Sequence, residues 1–348
     1  MSGPDLPAGT ATGVGSLPGT DADAYREAVR FVADRLPDLP HLPELPGRGP
    51  GADLVGRGAA LLVDLPVELQ PHGWRLVDHA GRDAARAGAY LRSDLDQLAE
   101  AFDGYAGPLK VQMAGPWTLA ASLWLPRGER AITDPGARRD LVASLADGVR
   151  THAAAVRAAV PGAELVIQLD EPSLTAALAG RLPTASGYGL VRALDPVEAE
   201  RGLADVVAAV HGARAASVVH SCAPDVPVAL LHRAGTGAVS LDLALVHRAG
   251  WEALAEAVEG GLRLWAGAVP AVPGAVTAER PDGLPTDTEV MAAIREPWHS
   301  VGLPITGLAG VVTTPACGLG SATPEQARAV LDRAVASGRA LAELAHED

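Results

Sequence analysis

A histidine and a cysteine stand two residues apart at the point where an apolar run ends. The run covers residues 215–219 and continues as His220-Ser221-Cys222. Side chains alternate between the two faces of a strand, so positions 220 and 222 point to the same side. An imidazole nitrogen and a thiolate that converge in this way suit zinc, which takes N and S ligands in a tetrahedron at roughly 2.0–2.3 Å. The spacing therefore predicts a metal site at the end of this strand.

Two further candidate ligands, Asp242 and Cys317, each come at or just past the end of another strand-like run. Each candidate also has a simpler interpretation. His220 and Cys222 could be packed core residues, and Asp242 could be a helix cap or a loop residue. The chain has only two cysteines, and they could form a disulfide. A cysteine beside a histidine is more typical of a metal site.

Eight short apolar runs alternate with helical patterns along the chain. This alternation predicts an α/β fold, a single (β/α)8 TIM barrel over residues 1–348, with a doubly wound open sheet as the alternative. The barrel is favoured because polar residues follow most strand ends, where barrel enzymes place their sites. Residues 46–106 are predicted to be an insertion after the second strand that acts as a lid. The predicted strands cover 11–15, 41–45, 109–113, 165–169, 215–219, 237–241, 262–268 and 310–314, and the predicted helices cover 21–35, 83–102, 138–159, 197–211, 251–259, 287–300 and 322–344.

Polar residues at three other strand ends are candidates for ligand binding. Ser16 follows the first strand, Glu44 lies in the second, and Asp170 follows the fourth. Ser16 could instead be a turn residue. Glu171 is expected to have a structural role at a helix start. The remaining histidines on helical or loop patterns are predicted to be exposed; they are His152, His211, His232 and His247.

The net charge of −14 argues against general nucleic-acid binding, which needs clustered lysine and arginine. It also argues against an anionic membrane surface. No stretch approaches the ~20 apolar residues of a membrane span. The first residues have neither the basic region nor the apolar core of a signal peptide, so a cytoplasmic location is expected. Lys110 is the only lysine in the chain.

Several motifs together resemble the cobalamin-independent methionine synthase family, specifically its catalytic C-terminal barrel. They span most of the chain in the family's order. The amino-terminal barrel of the full-length enzymes has no counterpart here, so the chain is similar to a short, single-barrel type. The motifs are Val14-Gly-Ser-Leu-Pro18, Met113-Ala-Gly-Pro116, Ile167-Gln-Leu-Asp-Glu-Pro172, His220-Ser-Cys222 and Cys317-Gly-Leu319.

The resemblance implies a Zn²⁺ cofactor and homocysteine as substrate. Zinc would be held by a histidine, two cysteines and a carboxylate; the family has glutamate where this chain has Asp242. A zinc-bound thiol is deprotonated and can attack a methyl group, giving methionine. The residues that the resemblance assigns are His220, Cys222, Cys317 and Asp242 for the metal, and Val14, Gly15, Ser16, Glu44 and Asp170 for homocysteine.

Two departures from the family's pattern concern the methyl donor. Full-length relatives carry a histidine after the seventh strand, thought to act as an acid toward the folate leaving group, but residues 266–273 contain none. After the D-E-P motif, Ala176 occupies the position at which the family has a folate-contacting glutamate. General acid catalysis is typically worth ~10²–10⁴-fold, and a methyl-corrinoid donor does not need it. The predicted partner is thus methyl-tetrahydrofolate or a methyl-corrinoid, the latter free or carried by a corrinoid protein.

Three other functions remain open from the sequence. One is a related zinc-dependent thiol methyltransferase with another acceptor. Another is a non-catalytic zinc-binding barrel, since four protein ligands can make a closed structural site. The third is the chemistry of uroporphyrinogen decarboxylase-like proteins of the same superfamily, which need no zinc and are disfavoured by the His-x-Cys pair and the late cysteine.

Overall fold

A computed structural model of the chain describes residues 4–277 and 280–346. Six parallel strands, the third to the eighth along the chain, form a curled sheet in chain order, and the first two strands form a separate antiparallel hairpin. The strands are β1 Val67–Gln70, β2 Gly73–Leu76, β3 Ala106–Ala114, β4 Gly162–Asp170, β5 Ala216–Ser221, β6 Ala238–Asp242, β7 Arg263–Val269 and β8 Val312–Pro315. The helices are α1 Ala22–Arg35, α2 Leu54–Ala60, α3 Arg82–Ala101, α4 Pro116–Ser122, α5 Pro135–Ala159, α6 Leu174–Leu178, α7 Pro196–Gly212, α8 Val228–Arg233, α9 Arg248–Glu259, α10 Asp287–Ser300 and α11 Pro324–His346.

The prediction of eight barrel strands is confirmed for six. The predicted strands 11–15 and 41–45 are extended segments that make isolated parallel bridges. Glycines in the first segment and prolines around the second explain the difference, because proline has no N–H to donate to a ladder. Backbone hydrogen bonds still join the first segment to Thr313 of β8, the second to Lys110 of β3, and the two segments to each other.

The inward-facing side chains of the sheet change from apolar to polar toward the carboxyl ends of the strands. Gln168, His220 and Ser240 are buried polar residues. Each comes two positions after a member of an apolar cluster in the same strand. Residues i and i+2 of a strand share a face, so the polar groups lie directly above the apolar layer. The apolar cluster comprises Leu39, Val166, Val218, Ala238, Trp265 and Val312. Polar side chains therefore line the sheet at the carboxyl ends of its strands.

The predicted insertion contains its own small elements. Helix α2, the β1–β2 hairpin and helix α3 all fall within residues 46–106, and α3 packs against α1, α2 and β1. Asp53 caps α2 by accepting hydrogen bonds from the N–H groups of Val55 and Gly56. The hairpin is tied to the chain after α4, because Leu76 N donates to the carbonyl of Trp124 at 2.8 Å.

The predicted helices are all present, with ends that shift by at most three residues. Helix α10 covers the predicted range and begins with a capping box between Thr286 and Glu289. Side-chain caps at Asp21, Asp134 and Asp195 start three other long helices. Among the described residues, none of the helices is both long enough and apolar enough to cross a membrane.

The prediction that His152 is exposed is wrong. This residue lies on α5 with Leu145, Val149 and Val156 on the buried face of the helix, and its side chain is buried. Burial, and secondly the charge of Arg57, lower the pKa of His152 from 6.5 to about 4. The folded protein therefore holds this ring in its neutral form.

We expect His152 to make the protein less stable in mild acid. The unfolded ring takes up a proton below its ordinary pKa of about 6.5, while the folded ring does not until about 4. Stability therefore falls as the pH drops through this window, by roughly 2 kcal/mol between pH 7.5 and pH 5. Urea unfolding at both pH values should show that this part of the loss is absent in His152→Gln. An identical pH dependence in the two proteins would contradict the assignment.

Candidate metal centre

The structure brings three of the predicted metal ligands together. His220 is in β5, Cys222 follows the end of that strand, and Cys317 follows the end of β8. One ligand atom from each lies within 4.8 Å of the other two, and the two sulfur atoms are 2.8 Å apart. Both cysteines are free and half-buried. A nitrogen and two sulfurs from the ends of two strands, β5 and β8, thus face one point.

The ring of His220 is oriented toward this point by a hydrogen bond on its other side. Its Nδ1 lies 3.0 Å from Ser240 Oγ on the neighbouring strand β6. Its Nε2 is buried and has no hydrogen-bond partner among the described residues. A buried ring nitrogen without a partner is costly unless it binds something, and metal-binding histidines usually anchor their second nitrogen in this way. The N, S, S donor set therefore fits zinc.

The electrostatics of the two thiols also favour cation binding. The hydrogen bond with Cys222 lowers the pKa of the Cys317 thiol well below its usual range, and contacts with His220 lower it further. The same hydrogen bond raises the pKa of Cys222, because the two sulfurs share one proton. A thiolate is the form of cysteine that binds metals.

Asp242 is not part of the three-residue cluster. Its Oδ1 accepts a hydrogen bond from Ala244 N at 3.0 Å and caps the 3-10 helix Leu243–Leu245. Its carboxyl group is half-buried, and burial raises its pKa, with a further rise from Cys317. Asp242 is thus close enough to the three-residue cluster for the charge of Cys317 to raise its pKa, while its side chain caps the 3-10 helix.

Three of the predicted substrate residues form one loop, 14–16, at the end of the first extended segment. The carbonyl of Val14 accepts hydrogen bonds from Lys110 Nζ at 2.8 Å and from Gln168 Nε2 at 2.9 Å. The carbonyl of Gly15 accepts from Glu44 N at 3.1 Å. Side chains from β3 and β4 therefore fix the position of this loop from inside the sheet.

Ser16 joins this loop to the loop that carries Cys317. Its carbonyl accepts from Leu319 N at 2.8 Å, and its Oγ accepts from Gly320 N at 3.2 Å. The two loops come this close because position 318 is glycine. An added Cβ there would lie 2.2 Å from Ser16 Oγ and would displace the serine hydroxyl. The Cys-Gly-Leu motif therefore positions a thiol and a predicted substrate contact together.

Asp170 lies at the end of β4, next to His220 on β5. Its Oδ1 accepts a hydrogen bond from Gln168 Nε2 at 2.7 Å. Burial raises the pKa of Asp170 to about 7, opposed by the charges of His220 and Lys110 and by the Gln168 hydrogen bond. A buried carboxylate beside the three-residue cluster is well placed to bind a cationic group of a ligand.

Lys110 is a site residue to which the sequence interpretation gave no role. Its ammonium group is fully buried and donates to Val14 O, Gln112 Oε1 at 3.1 Å and Gln168 Oε1 at 3.0 Å. Burial lowers its pKa to about 7, opposed by Asp170 and Glu44. The available signal was a lysine and a glutamine alternating within an otherwise apolar strand, since inward positions of such a strand are normally apolar.

Glu44 is buried beside the loop and forms an ion pair with an arginine. Arg57 Nε lies 3.3 Å from Glu44 Oε1. The two carboxylates Glu44 and Asp170 each contribute to the pKa of Lys110, which places all three groups in one electrostatic neighbourhood. Glu171, by contrast, accepts hydrogen bonds from the backbone of Trp117 and Thr118 at the start of α4, as expected for a structural residue.

These features define an α/β enzyme whose site lies at the carboxyl ends of parallel strands and carries a possible His/Cys/Cys metal centre. The family model for the cobalamin-independent synthase catalytic domain matches residues 8–340, and the chain belongs to this family. It is therefore a methyltransferase of methionine biosynthesis. The resemblance seen in the sequence is confirmed.

One solved structure that matches this chain supports its fold. A B12-independent methionine synthase from Shewanella sp. W3-18-1, in complex with selenomethionine, matches with a TM-score of 0.60 and 15% identity over 97% of this chain and 98% of that chain. A GH5_18 variant from Streptomyces cattleya bound to Manb1-4GlcNAc gives a TM-score of 0.45 and 19% identity over 97% and 80% of the two chains. A search of curated protein sequences finds no significant match.

Proposed function

We propose that the protein is a zinc-dependent methyltransferase that makes methionine from homocysteine. The observation that carries the proposal is the convergence of His220, Cys222 and Cys317 beside a buried carboxylate, Asp170. Zinc, when bound, supplies the positive charge that converts an incoming thiol to its thiolate at neutral pH. The family supports homocysteine as the thiol.

The protein's own groups would orient homocysteine. Asp170 and Glu44 are buried carboxylates that can bind its ammonium group. Backbone groups of Val14 and Gly15 and the hydroxyl of Ser16 can bind its carboxylate. Lys110 and Gln168 hold these groups in place before the substrate arrives, so little reorganisation is needed on binding. His220 is held by Ser240 with its Nε2 toward the metal position.

Asp242 is proposed as the fourth ligand, and Asp242→Asn separates that role from helix capping. Asparagine caps helices as well as aspartate does, so the free energy of unfolding should change little. Loss of the charged oxygen should weaken zinc binding by roughly 10–100-fold. Competition with a chromophoric chelator measures the zinc affinity. Equal zinc affinity in the two proteins would leave Asp242 with its capping role alone.

The donor proposed is a methyl-corrinoid, free or carried by a protein. The segment after β7 contains no histidine, and Ala176 in α6 has no acidic group, so two groups that the family uses toward folate are missing. We expect the zinc-loaded protein to methylate homocysteine with methylcobalamin. Good turnover with methyl-tetrahydrofolate and none with methylcobalamin would overturn this choice of donor.

The rest of the architecture is proposed to serve this reaction. The two extended segments would complete an eight-membered barrel, since their hydrogen bonds lead from β8 round to β3. Residues 46–106 would be a lid within one domain, supported by the packing of α2 against β3. A cytoplasmic location would keep both cysteines reduced.

Calorimetric titration of homocysteine tests the function as a whole. We expect binding to the zinc-loaded protein and much weaker binding after chelation. Zinc-dependent binding without methylation by either donor would favour a non-catalytic barrel. Binding of other thiols in preference to homocysteine would favour a methyltransferase with another acceptor.

A further inference from the structure

A chain of four charged side chains runs from the insertion to Glu44. Arg48 makes two hydrogen bonds to Asp94 of α3, at 2.7 and 2.9 Å. Asp94 Oδ2 also accepts a hydrogen bond from Arg57 of α2. Arg57 in turn places its Nε 3.3 Å from Glu44 Oε1. The side chains are between 0% and 7% exposed, so the chain of charges is shielded from solvent.

The burial of these charges has an energetic cost that argues for a purpose. Removing ions from water costs several kcal/mol each, and buried ion pairs are often no more stable than apolar residues of similar size. Arg48 is further held between the rings of Tyr25 and Tyr90, with its guanidinium carbon 4.4 and 4.8 Å from their centroids. Arg48 therefore restrains the carboxylate of Asp94 that also accepts the hydrogen bond from Arg57.

Asp94 and Glu44 compete for the same arginine. The hydrogen bond from Arg57 goes to Asp94, while Glu44 receives only the longer Nε contact. Glu44 Oε1 is buried and has no hydrogen-bond partner among the residues that the structure describes. Because a buried carboxylate oxygen without a partner is costly, it is poised to accept a hydrogen bond from a ligand. Without Asp94, Arg57 would be free to pair with Glu44 and occupy it.

We propose that Asp94 is a positioning residue: it holds Arg57 so that Glu44 stays open for the α-amino group of homocysteine. This inference rests on the proposed function. Asp94 accepts the hydrogen bond of Arg57, so the contact between Arg57 and Glu44 stays without a hydrogen bond and leaves Glu44 Oε1 able to accept one from the ligand. The insertion thereby determines whether the site distinguishes an amino acid from a simple thiol acid.

The test compares homocysteine with 4-mercaptobutanoate, which is homocysteine without its amino group. The ratio of the two Kd values, measured by calorimetry on zinc-loaded protein, reports recognition of the amino group alone. We expect Asp94→Asn and Glu44→Gln each to reduce this ratio by about tenfold or more, the size of one charged hydrogen bond. Asp94→Asn combined with Arg57→Gln should recover most of the wild-type ratio, because the competing cation is gone.

The double variant distinguishes positioning from general stability. If Asp94 served stability only, removing Arg57 as well would not recover the ratio. Arg138→Gln is the matched control, because Arg138 makes a similar two-bond pair with Glu198 between α5 and α7, away from the site. We expect it to lower the unfolding midpoint and leave the ratio unchanged. An unchanged ratio in Asp94→Asn, or no recovery in the double variant, would overturn the proposal.

A second measurement separates this inference from the proposed function. If wild-type protein does not prefer homocysteine at all, the amino-group role fails together with that assignment. The coupling through Arg57 is still measured by urea unfolding of Asp94→Asn, Glu44→Gln and their combination. Non-additive shifts of the midpoint support the competition for Arg57, and additive shifts overturn it.

Discussion

Replacing Cys317 with serine should remove the bound zinc and lower kcat/KM for homocysteine methylation on the order of 10³-fold. A serine hydroxyl stays protonated at neutral pH and is a poor zinc ligand, whereas the structure places the Cys317 sulfur within the three-residue cluster. Without the metal, only a few per cent of a free thiol with a pKa of ~8.5 is ionised at pH 7.

Metal analysis and methylation assays on the same preparation check this prediction. Ser217→Ala is a suitable control, because Ser217 is buried in β5, the strand of His220, and its hydroxyl bonds to His211 instead of a metal ligand. The control should keep its zinc and activity. The zinc content and activity of Ser240→Ala should lie between those of Cys317→Ser and Ser217→Ala. This variant removes the hydrogen bond that orients His220 but removes no metal ligand. Full zinc content and activity in Cys317→Ser would contradict the metal centre.

Asp170→Asn should raise the Kd for homocysteine about 100-fold while leaving zinc binding largely intact. The side chain is buried, so its charge is poorly screened, and removing one partner of a buried charged pair typically costs 2–5 kcal/mol. Affinity for 4-mercaptobutanoate should change far less, because that ligand has no ammonium group to lose.

The neighbouring residue provides the control for Asp170. Glu171→Gln makes the same chemical change in a buried carboxylate that bonds to the start of α4 rather than facing the cluster. We expect it to lower the unfolding midpoint and to alter homocysteine binding less than about threefold, a structural effect. If both variants lost homocysteine binding equally, Asp170 would have no special part in the site.

The sequence predicted the metal cluster because its geometry is local. The two-residue repeat of a strand places His220 and Cys222 on one face, and parallel strands bring their carboxyl ends to the same edge. Cys317 could be added for the same reason. The family motifs also located loop 14–16, whose position depends on side chains far away in the chain.

Other features could not be predicted because they depend on long-range contacts. Nothing in the local pattern shows that Arg57 contacts both Glu44 and Asp94, since Asp94 is 50 positions from Glu44. The first two predicted barrel strands form only isolated bridges, because glycines and prolines interrupt the ladder there. The burial of His152 was predictable from the sequence, because its helical spacing from Leu145 and Val149 places it on the buried face of α5.

X-ray absorption at the zinc edge tests the central claim most directly. The account predicts that zinc-loaded protein has two sulfur neighbours at roughly 2.3 Å and that homocysteine adds a third. The two protein sulfurs can come only from Cys222 and Cys317, because the chain has no other cysteine. A zinc shell of nitrogen and oxygen alone, or a sulfur count that homocysteine leaves unchanged, would contradict it.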